Sequence, residues 1–529
     1  MKRIRLNQND DTYSDYLMDA SLLQGHAEEL VFCHTTKEVK VLLDECYMNQ
    51  KPLTIQGAMT GICGGGVPGG GCILNLSEMN DVKGMSYNET SDTFSIKVAP
   101  GLLLKDLNNL LLSQKINTSN WTDEDKRTYE SFIKAKPKFF PPDPTEVMAS
   151  IGGMVACDAS GACSFKYGST RDYVESIKVV ILIEGVSEVV TIKRGHYTYK
   201  EINTLFHCDM PLPRWRVHNK YLKDVAGLYY TDDMDLVDLF IGSEGLFGVI
   251  TEVELKLINT PEIKMGLMLF LDKTDKMIDF INWLRGDNIS DIESLTEKPC
   301  AIEYFDKHTF EMLNDFRDLK TEISQLPSIS DLHQGGLYLE FHLNEEALLD
   351  DVMAQLFDSL NTFGINEAEQ WLALESSDYD KLKNFRHSVP ECVNILVANQ
   401  KLIEPTINKI GTDMAVPNEA LHDVLTMYQT DSKNKKIKTF VFGHIGDNHL
   451  HVNIIPKDYN EYSMSLDLVK AWGNQVIKWR GTVTAEHGIG KLKKELLKQM
   501  MTHRDIESMK TIKKIIEPSG LINQGTLLD

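Results

Sequence analysis

Between residues 57 and 253 glycine is concentrated in three stretches, GAMTGICGGGVPGGG (57–71), IGGMVACDASGACSFKYGS (151–169) and IGSEGLFGVITEV (241–253), each beside strand-like sequence. Dense glycine is needed where the backbone takes φ > 0 or where a ligand closes against its N–H groups. A pyrophosphate is the commonest ligand for such a cradle. Neither standard fingerprint is present: no G-x-x-x-x-G-K-[ST] occurs, and no G-x-G-x-x-G follows a strand in the required context. Any one cluster alone could be a turn, but three beside strands point to an α+β nucleotide-binding lobe.

At 529 residues the chain exceeds one hydrophobic core, so two or three lobes are expected. EVKVLLDECYMNQ (38–50) carries apolar residues at helical spacing, PLTIQG (52–57) reads as a buried strand, and SIKVVILIEG (176–185) reads as another. Residues 118–141, charged and ending in FFPPDP, and 194–222, rich in His, Arg, Tyr and Pro, read as surface insertions. Strands are expected at 263–272 and 335–343, in an α+β lobe with an antiparallel sheet, followed by a mostly helical tail over 464–529. The expected divisions are a nucleotide-binding domain over 1–258, a substrate or cap domain over 259–480, and a segment over 481–529 that completes the site and packs on the first lobe.

Lys plus Arg is 55 and Asp plus Glu is 77, a net charge of −22 that repels nucleic acid and anionic membranes. An anionic substrate would therefore need a local cationic site. No apolar run approaches the roughly 18 residues of a spanning helix, and the N-terminus MKRIRLNQNDDTYSDYL has no apolar signal region. The nine cysteines are scattered, odd in number and without C-x-x-C, which fits reduced thiols and speaks against an iron–sulfur cluster or zinc ribbon. A cytoplasmic location is expected, with any membrane association through a partner. The oligomeric state stays open, a homodimer included.

The densest titratable motif is FGHIGDNHLHV (442–452). His449 and His451 are two apart and share a face of a strand, while Gly443 and Gly446 let the chain turn and bring His444 toward them. Imidazoles on one concave face suit Zn²⁺ or Mn²⁺ with a carboxylate completing the set. A hydrogen-bonded polar cluster at a strand end explains the same residues. GTVTAEHGIGK (481–491) adds a Glu-His pair, read as a strand ending in a tight turn.

Taken together these segments resemble the vanillyl-alcohol-oxidase-type flavoproteins with a PCMH-type FAD-binding domain. QGAMTGICGG is similar to their first pyrophosphate loop, PPDPTEVMASIGGMVACDASGACSFKYGSTRDYV to their second, and GSEGLFGVITEV to a third conserved segment. The pattern is nearest the glycolate-oxidase-subunit, D-lactate-dehydrogenase and D-2-hydroxyglutarate-dehydrogenase branch. The resemblance implies a two-part FAD lobe plus an α/β cap domain, with C-terminal helices returning to the FAD lobe. It places Gly57, Thr60, Gly61 and Gly64 on the first loop, and Ser150, Gly152, Gly153, Gly161, Tyr167 and Gly168 on the second. Glu244, Gly248, Val249 and Ile250 would lie on the adenine side. Gln56, Asp158 and Leu246-Phe247 depart from the usual pattern. With no histidine between 35 and 193, the first loop offers no histidyl attachment and the FAD is expected to be non-covalent.

In the family's histidine motif the first and last histidines bind metal, and the E-H-G-I-G segment supplies a metal-binding Glu and the catalytic base. Carried over, His444, His451 and Glu486 would hold a divalent metal (Zn, Mn or Fe) and His487 would be the base. His449 and Asn448 stand where Asn and Gly are usual, and His449 could ligate, contact substrate or only pack. FRHSVPECVN resembles the segment whose Arg anchors the substrate carboxylate, which is Arg386 here; a solvated helix arginine is the alternative. Lys409 is a candidate second cation, or simply a solvated lysine, and Asn453 matches a substrate-contacting Asn.

Such a set suits oxidation of a small 2-hydroxycarboxylate by hydride transfer to flavin. A metal brings bound water from pKa roughly 15.7 to about 7 and should acidify a coordinated alcohol similarly, and a placed base adds about 10²–10⁴-fold. The expected activity is a FAD- and metal-dependent D-2-hydroxyacid dehydrogenase, D-lactate first among substrates. Electrons would pass to an electron-transfer flavoprotein, a quinone or another carrier. An oxygen-using alcohol oxidase of the same superfamily and a non-catalytic flavin-bearing electron-transfer subunit are the alternatives.

Overall fold

The computed structural model describes residues 1–7, 11–183, 185–196, 215, 218–219, 222–287, 293–319, 329–366 and 370–528. Most of the expected insertion over 194–222 therefore falls outside the described residues. Runs of strands and runs of helices follow one another along the chain, and the strands sort into three main sheets.

The first sheet is small and follows directly from local sequence. Glu29–Phe32 and Leu53–Gln56 flank Cys72–Asn75 in parallel, and Lys2–Arg5 adds an antiparallel edge. The crossover between the first two is the helix Thr36–Met48, which buries Val39, Leu42, Leu43 and Cys46. That i, i+3, i+4, i+7 spacing is one helical face, and the Thr35 side chain caps the start by accepting from Glu38 N. The second sheet has five antiparallel strands, in the order Val82–Asn88, Thr93–Val98, Val249–Lys256, Val174–Ile183 and Val186–Lys193.

The stretch over 118–141 does more than cover the surface. It carries the helix Asp123–Phe132 and buries Trp121, Phe132 and Phe140 in the core of this lobe. Its many charges concealed three well-spaced aromatic anchors.

The third sheet is antiparallel throughout. The run Trp371–Ala373, Ile263–Leu271, Gly335–Leu343, Ala301–Asp306, Thr439–Gly443, His449–Ile454 and Ile410–Gly411 forms its path, with Met414–Ala415 also pairing His449–Ile454. Separate apolar clusters cover its two faces. One includes Phe385 and Val389 of the long helix Ser376–Ile403.

The C-terminus returns to the first lobe. Met509, Ile512 and Ile516 of the helix His503–Ile516 join the core around the second sheet. Leu521 O accepts from Leu53 N at 2.9 Å, and the Asn523 carboxamide accepts from Ile55 N and donates to Glu244 O. The chain's end thus stitches the first sheet to the third glycine cluster. Among the described residues no helix is long and apolar enough to cross a membrane.

Candidate active site

The three glycine clusters meet around one cavity. Gly57, Thr60 and Gly61 line it from the first loop, Ser150, Gly152, Gly153 and Gly161 from the second, and Glu244, Gly248 and Ile250 from the third. The absence of side chains there is enforced by packing. A Cβ on Gly57 would stand 2.2 Å from Ser150 Oγ, and one on Gly161 would stand 2.1 Å from Asp143 O. Ser150 also caps the short helix Ile151–Cys157 by accepting from Gly153 N. Gln56 shapes the first loop from behind, donating to Tyr16 O and Gly66 O at 2.8 Å each.

Four expected cofactor contacts lie away from this cavity. Gly64 and Gly168, at φ +76° and +74°, are turn glycines, and a Cβ on Gly168 would collide with Asp172. Val249 is fully buried and pairs with Val180, because it alternates with Ile250 across the strand. Tyr167 turns toward the third sheet, where its hydroxyl is 2.9 Å from His342 Nδ1. Asp158, at φ +52°, accepts from Ser169 Oγ, Arg171 N and Arg171 Nε, so it organises the second loop internally. The carboxylate of Glu244 is already engaged: it accepts from Ile489 N and Gly490 N at 2.7 Å each and thereby holds the EHGIG loop against the cavity. Burial pushes that carboxyl up to about 7 against those two hydrogen bonds.

One end of the cavity is lined by His444, Glu486 and His487. His444 follows the strand Thr439–Gly443, whose last residue takes φ +134°. A Cβ on Gly443 would stand 2.9 Å from His451 Cδ2, so glycine lets the two histidines close. His451 lies on the adjacent strand His449–Ile454. Residues 481–491 do not form the expected strand. They make a single bridge, Thr482 to Ala415, and otherwise loop around the Asp413 carboxylate, which accepts from Glu486 N and His487 N.

The ring nitrogens converge on one oxygen. His444 Nε2, His451 Nε2 and His487 Nε2 stand 3.4, 3.3 and 3.4 Å from Glu486 Oε1. Each opposite nitrogen has its own partner: His444 Nδ1 pairs with Glu303 Oε1 at 2.5 Å, His451 Nδ1 with Thr412 O at 3.2 Å, and His487 Nδ1 faces Asp413 Oδ1 at 3.4 Å. Tethering Nδ1 leaves Nε2 of His444 and His451 for a cation, the arrangement found around protein metal ligands. His444, His451 and Glu486 thus fit a divalent ion, and the glycine cradle fits a phosphate-bearing cofactor.

Charge at this end is strongly patterned. Burial pushes Glu486 up, but Lys223, His444 and His449 hold it well below the usual carboxylate range. Burial acts likewise on Asp413, outweighed by His487, Lys493 and His449. Burial opposes the charged form of His444, yet Glu303 and Glu486 raise it to about 9. At His487 burial wins over Asp413 and Glu486, lowering it to about 4 and keeping the ring neutral at pH 7. His449 is fully buried and lowered to about 3 by burial and His451. Its Nε2 is 3.0 Å from Asp413 Oδ1, and its Nδ1 is 4.0 Å from Glu486 Oε2.

Arg386 is buried on its helix, with Nε 3.8 Å from Glu303 Oε1. Against the effect of burial, Glu303 and Asp143 both favour its charged form, and its guanidinium fork has the shape that takes a carboxylate, although Arg386 does not line the cofactor cavity itself. Asn453 is buried near His451, donating weakly to Phe440 O and His451 O. Lys409, next to the two-residue strand Ile410–Gly411 whose Gly411 pairs with Asn453, has a largely exposed side chain, but burial around its ammonium lowers its pKa.

Asp413, Glu303, Lys223 and Lys493 escaped sequence reading. Lys223 Nζ is 2.7 Å from Glu486 Oε2, and Lys493 Nζ is 2.6 Å from Asp413 Oδ2. The one available signal was an acidic residue inside an apolar strand, as in AIEYFD, where a buried charge needs a partner.

The comparisons agree with this geometry. Residues 286–527 match the FAD-linked oxidase C-terminal domain, and residues 27–122 match the FAD-binding domain. D-lactate dehydrogenase of Anaerostipes hadrus is 25% identical, covering 99% of this chain and 94% of that protein. Glycolate oxidase subunit GlcD of Bacillus subtilis is 23% identical over 95% and 89% of the two chains. D-2-hydroxyglutarate dehydrogenase of Xanthomonas citri is 23% identical over 89% and 83%. In fold the chain is similar to alkyldihydroxyacetonephosphate synthase, with a TM-score of 0.61 at 14% identity, covering 96% of this chain and 81% of that one. A glycine-walled cofactor cavity closed by a histidine–carboxylate centre, on a chain matching both halves of one architecture, places this protein in the family of FAD-linked oxidases with a PCMH-type FAD-binding domain.

Proposed function

We propose that the protein is a FAD- and divalent-metal-dependent D-2-hydroxyacid dehydrogenase, with D-lactate or a similar small hydroxyacid as substrate and an electron-transfer flavoprotein or another carrier as electron acceptor. The observation that carries this reading is the convergence of three imidazole Nε2 atoms on Glu486 Oε1, within 3.3 to 3.4 Å, at the wall of the glycine-lined cavity. When bound, FAD supplies the hydride acceptor and a divalent cation supplies the charge that acidifies the substrate hydroxyl.

The chain's own residues do the rest. Arg386, buried beside Glu303, takes the carboxylate through its guanidinium fork and sets the orientation of the α-carbon. His487 receives the hydroxyl proton at Nε2. Its ring is neutral, and Asp413 beside Nδ1 favours the tautomer with the proton on that side. The Glu244 carboxylate holds the backbone just after His487 and keeps the base at the cavity wall. His444, His451 and Glu486 would hold the cation, with Glu303 and Thr412 fixing the two rings.

Anaerobic bleaching of the flavin absorbance with a panel of D- and L-hydroxyacids tests the reading. D-lactate or a related D-acid should bleach it and the L-enantiomer should not, and prior chelation should abolish the effect. Bleaching that survives complete metal removal would remove the cation from the proposal. Failure of every hydroxyacid would sink the activity itself.

A further inference from the structure

A second cluster of metal-ligating side chains lies apart from the centre just described, where the second glycine loop meets the third sheet. Cys163 belongs to that loop, Cys300 directly precedes the strand Ala301–Asp306, and Glu340 and His342 lie two apart on the strand Gly335–Leu343. Spacing of two puts Glu340 and His342 on one face. The register pairs Ala301 with Glu340, and Cys300 N donates to Glu340 O at 2.6 Å, so the cysteine is locked beside them. All four residues are buried, and one ligand atom from each lies within 4.8 Å of the others. None of the four lines the cofactor cavity.

The distances distinguish what such a cluster can hold. Cys163 Sγ and Cys300 Sγ are 3.7 Å apart. A disulfide needs about 2.05 Å, whereas Zn–S bonds of about 2.3 Å at the tetrahedral angle place two sulfurs about 3.8 Å apart. Cys163 Sγ is also 3.7 Å from Glu340 Oε1, which accepts from Tyr379 and pairs with His342 Nε2 at 2.8 Å. Binding an ion would part that pair to the about 3.3 Å of two tetrahedral ligands. The outward atoms are already tied. Tyr167 Oη is 2.9 Å from His342 Nδ1, and Tyr338 donates to Glu340 Oε2 at 2.8 Å. Partners of this kind fix ring and carboxylate orientation at protein metal sites.

We infer that Cys163, Cys300, Glu340 and His342 form a second, closed, four-ligand site for zinc or a similarly thiophilic divalent ion, stapling the second cofactor loop to the cap sheet. Two thiols lose their protons on binding, leaving two thiolates and one carboxylate against the divalent charge, a net −1. Lys166, whose ammonium donates to His342 O at 3.1 Å and also pairs with Glu297 at 3.6 Å, is the nearby cation that faces that remainder. With four protein ligands and no open position, the ion would act on structure.

His444, His451 and Glu486 contain no sulfur, so a sulfur signal lost in the Cys163→Ser/Cys300→Ser variant reports on this site, whatever the fate of the proposed activity. Zinc K-edge X-ray absorption on the zinc-supplemented holoprotein should show sulfur scatterers at about 2.3 Å. Metal content per chain should fall by one equivalent in the Cys163→Ser/Cys300→Ser double variant and in His342→Gln. The absorption measurement needs no variant, so misfolding of a variant cannot shield the idea. A nitrogen- and oxygen-only shell with equal metal content in all three proteins would overturn it. So would recovery of a Cys163–Cys300 disulfide from the native protein by alkylation and mass spectrometry.

Discussion

The centre around Glu486 and the cluster around Glu340 are built from nearly the same parts. Each has a buried carboxylate, imidazole donors, and residues from the third sheet meeting a loop from elsewhere in the chain. Their surroundings differ. Glu486 and Asp413 are countered by the firmly protonated ammonium groups of Lys223 and Lys493, and one wall opens on the cofactor cavity. Glu340 is enclosed by the hydroxyls of Tyr338 and Tyr379, and His342 by that of Tyr167. A charged centre beside an opening is within reach of a bound substrate, whereas groups sealed by phenols can only hold something in place. Similar ligand chemistry thus acquires its role from the shell and the opening around it.

The largest effect that would break this comparison belongs to His487. His487→Gln keeps a hydrogen-bonding side chain but cannot accept the proton, so kcat should fall by about 10²–10⁴-fold, with FAD and metal content retained. Single-turnover flavin reduction with D-lactate measures it, and a loss below tenfold would leave the base elsewhere. Next comes a network that is charged yet purely structural. Asp238, with its side chain 7% exposed, is held by Arg171 and Arg194. Asp238→Asn leaves Arg194, whose side chain is 31% exposed, without its close counter-charge while Arg171 keeps Asp158, and should cost about 1–3 kcal/mol of stability. Burial pushes the Asp238 carboxyl up, but Arg171 and Arg194 outweigh it and hold it below its ordinary value. The unfolded chain therefore binds the proton first as pH drops. The contribution is complete above the unfolded value of about 3.9 and is lost as pH falls from there through the lower folded value. Denaturation midpoints across that window should fall more steeply in the native protein than in the variant, while turnover at neutral pH follows FAD content in both.

Local pattern made much of the fold legible. The helix Thr36–Met48 and the strands Leu53–Gln56, Ile263–Leu271 and Gly335–Leu343 follow apolar spacing that neighbouring residues determine by themselves. The glycine clusters and the two histidine segments were legible as well, because their residue types are costly to place without a use. What stayed hidden depends on contacts distant in sequence. Asp413 meets His487 across 74 positions and Glu303 meets His444 across 141, and nothing near either carboxylate announces its partner. The same limit misplaced Tyr167 and Val249, since loop sequence locates a residue near a cofactor without telling which way its side chain turns. Cys163 and Cys300 read as scattered thiols for that reason, although 3.7 Å separates their sulfurs.

Glu303 tests whether the shell, rather than the ligands, sets the role of the open centre. Its carboxylate holds His444 Nδ1 at 2.5 Å and also meets Arg386. Glu303→Gln keeps the volume but removes the charge that fixes the imidazole, which should cost about 10–100-fold in metal affinity or turnover. Metal retained against a graded chelator and kcat should fall together; a change in neither would reduce Glu303 to packing. The smallest effect is expected at Lys409, whose side chain stays largely exposed although burial around its ammonium lowers its pKa, while Arg386 is buried. An exposed ion pair contributes about 0–1 kcal/mol, which at 1.4 kcal/mol per tenfold is about fivefold in KM or less. Lys409→Met should therefore shift KM within that bound, more at low ionic strength than at high, with kcat unmoved. A KM change of tenfold or more that salt does not attenuate would mean that Lys409 folds over the bound acid, and that the open centre is less open with substrate in place than without it.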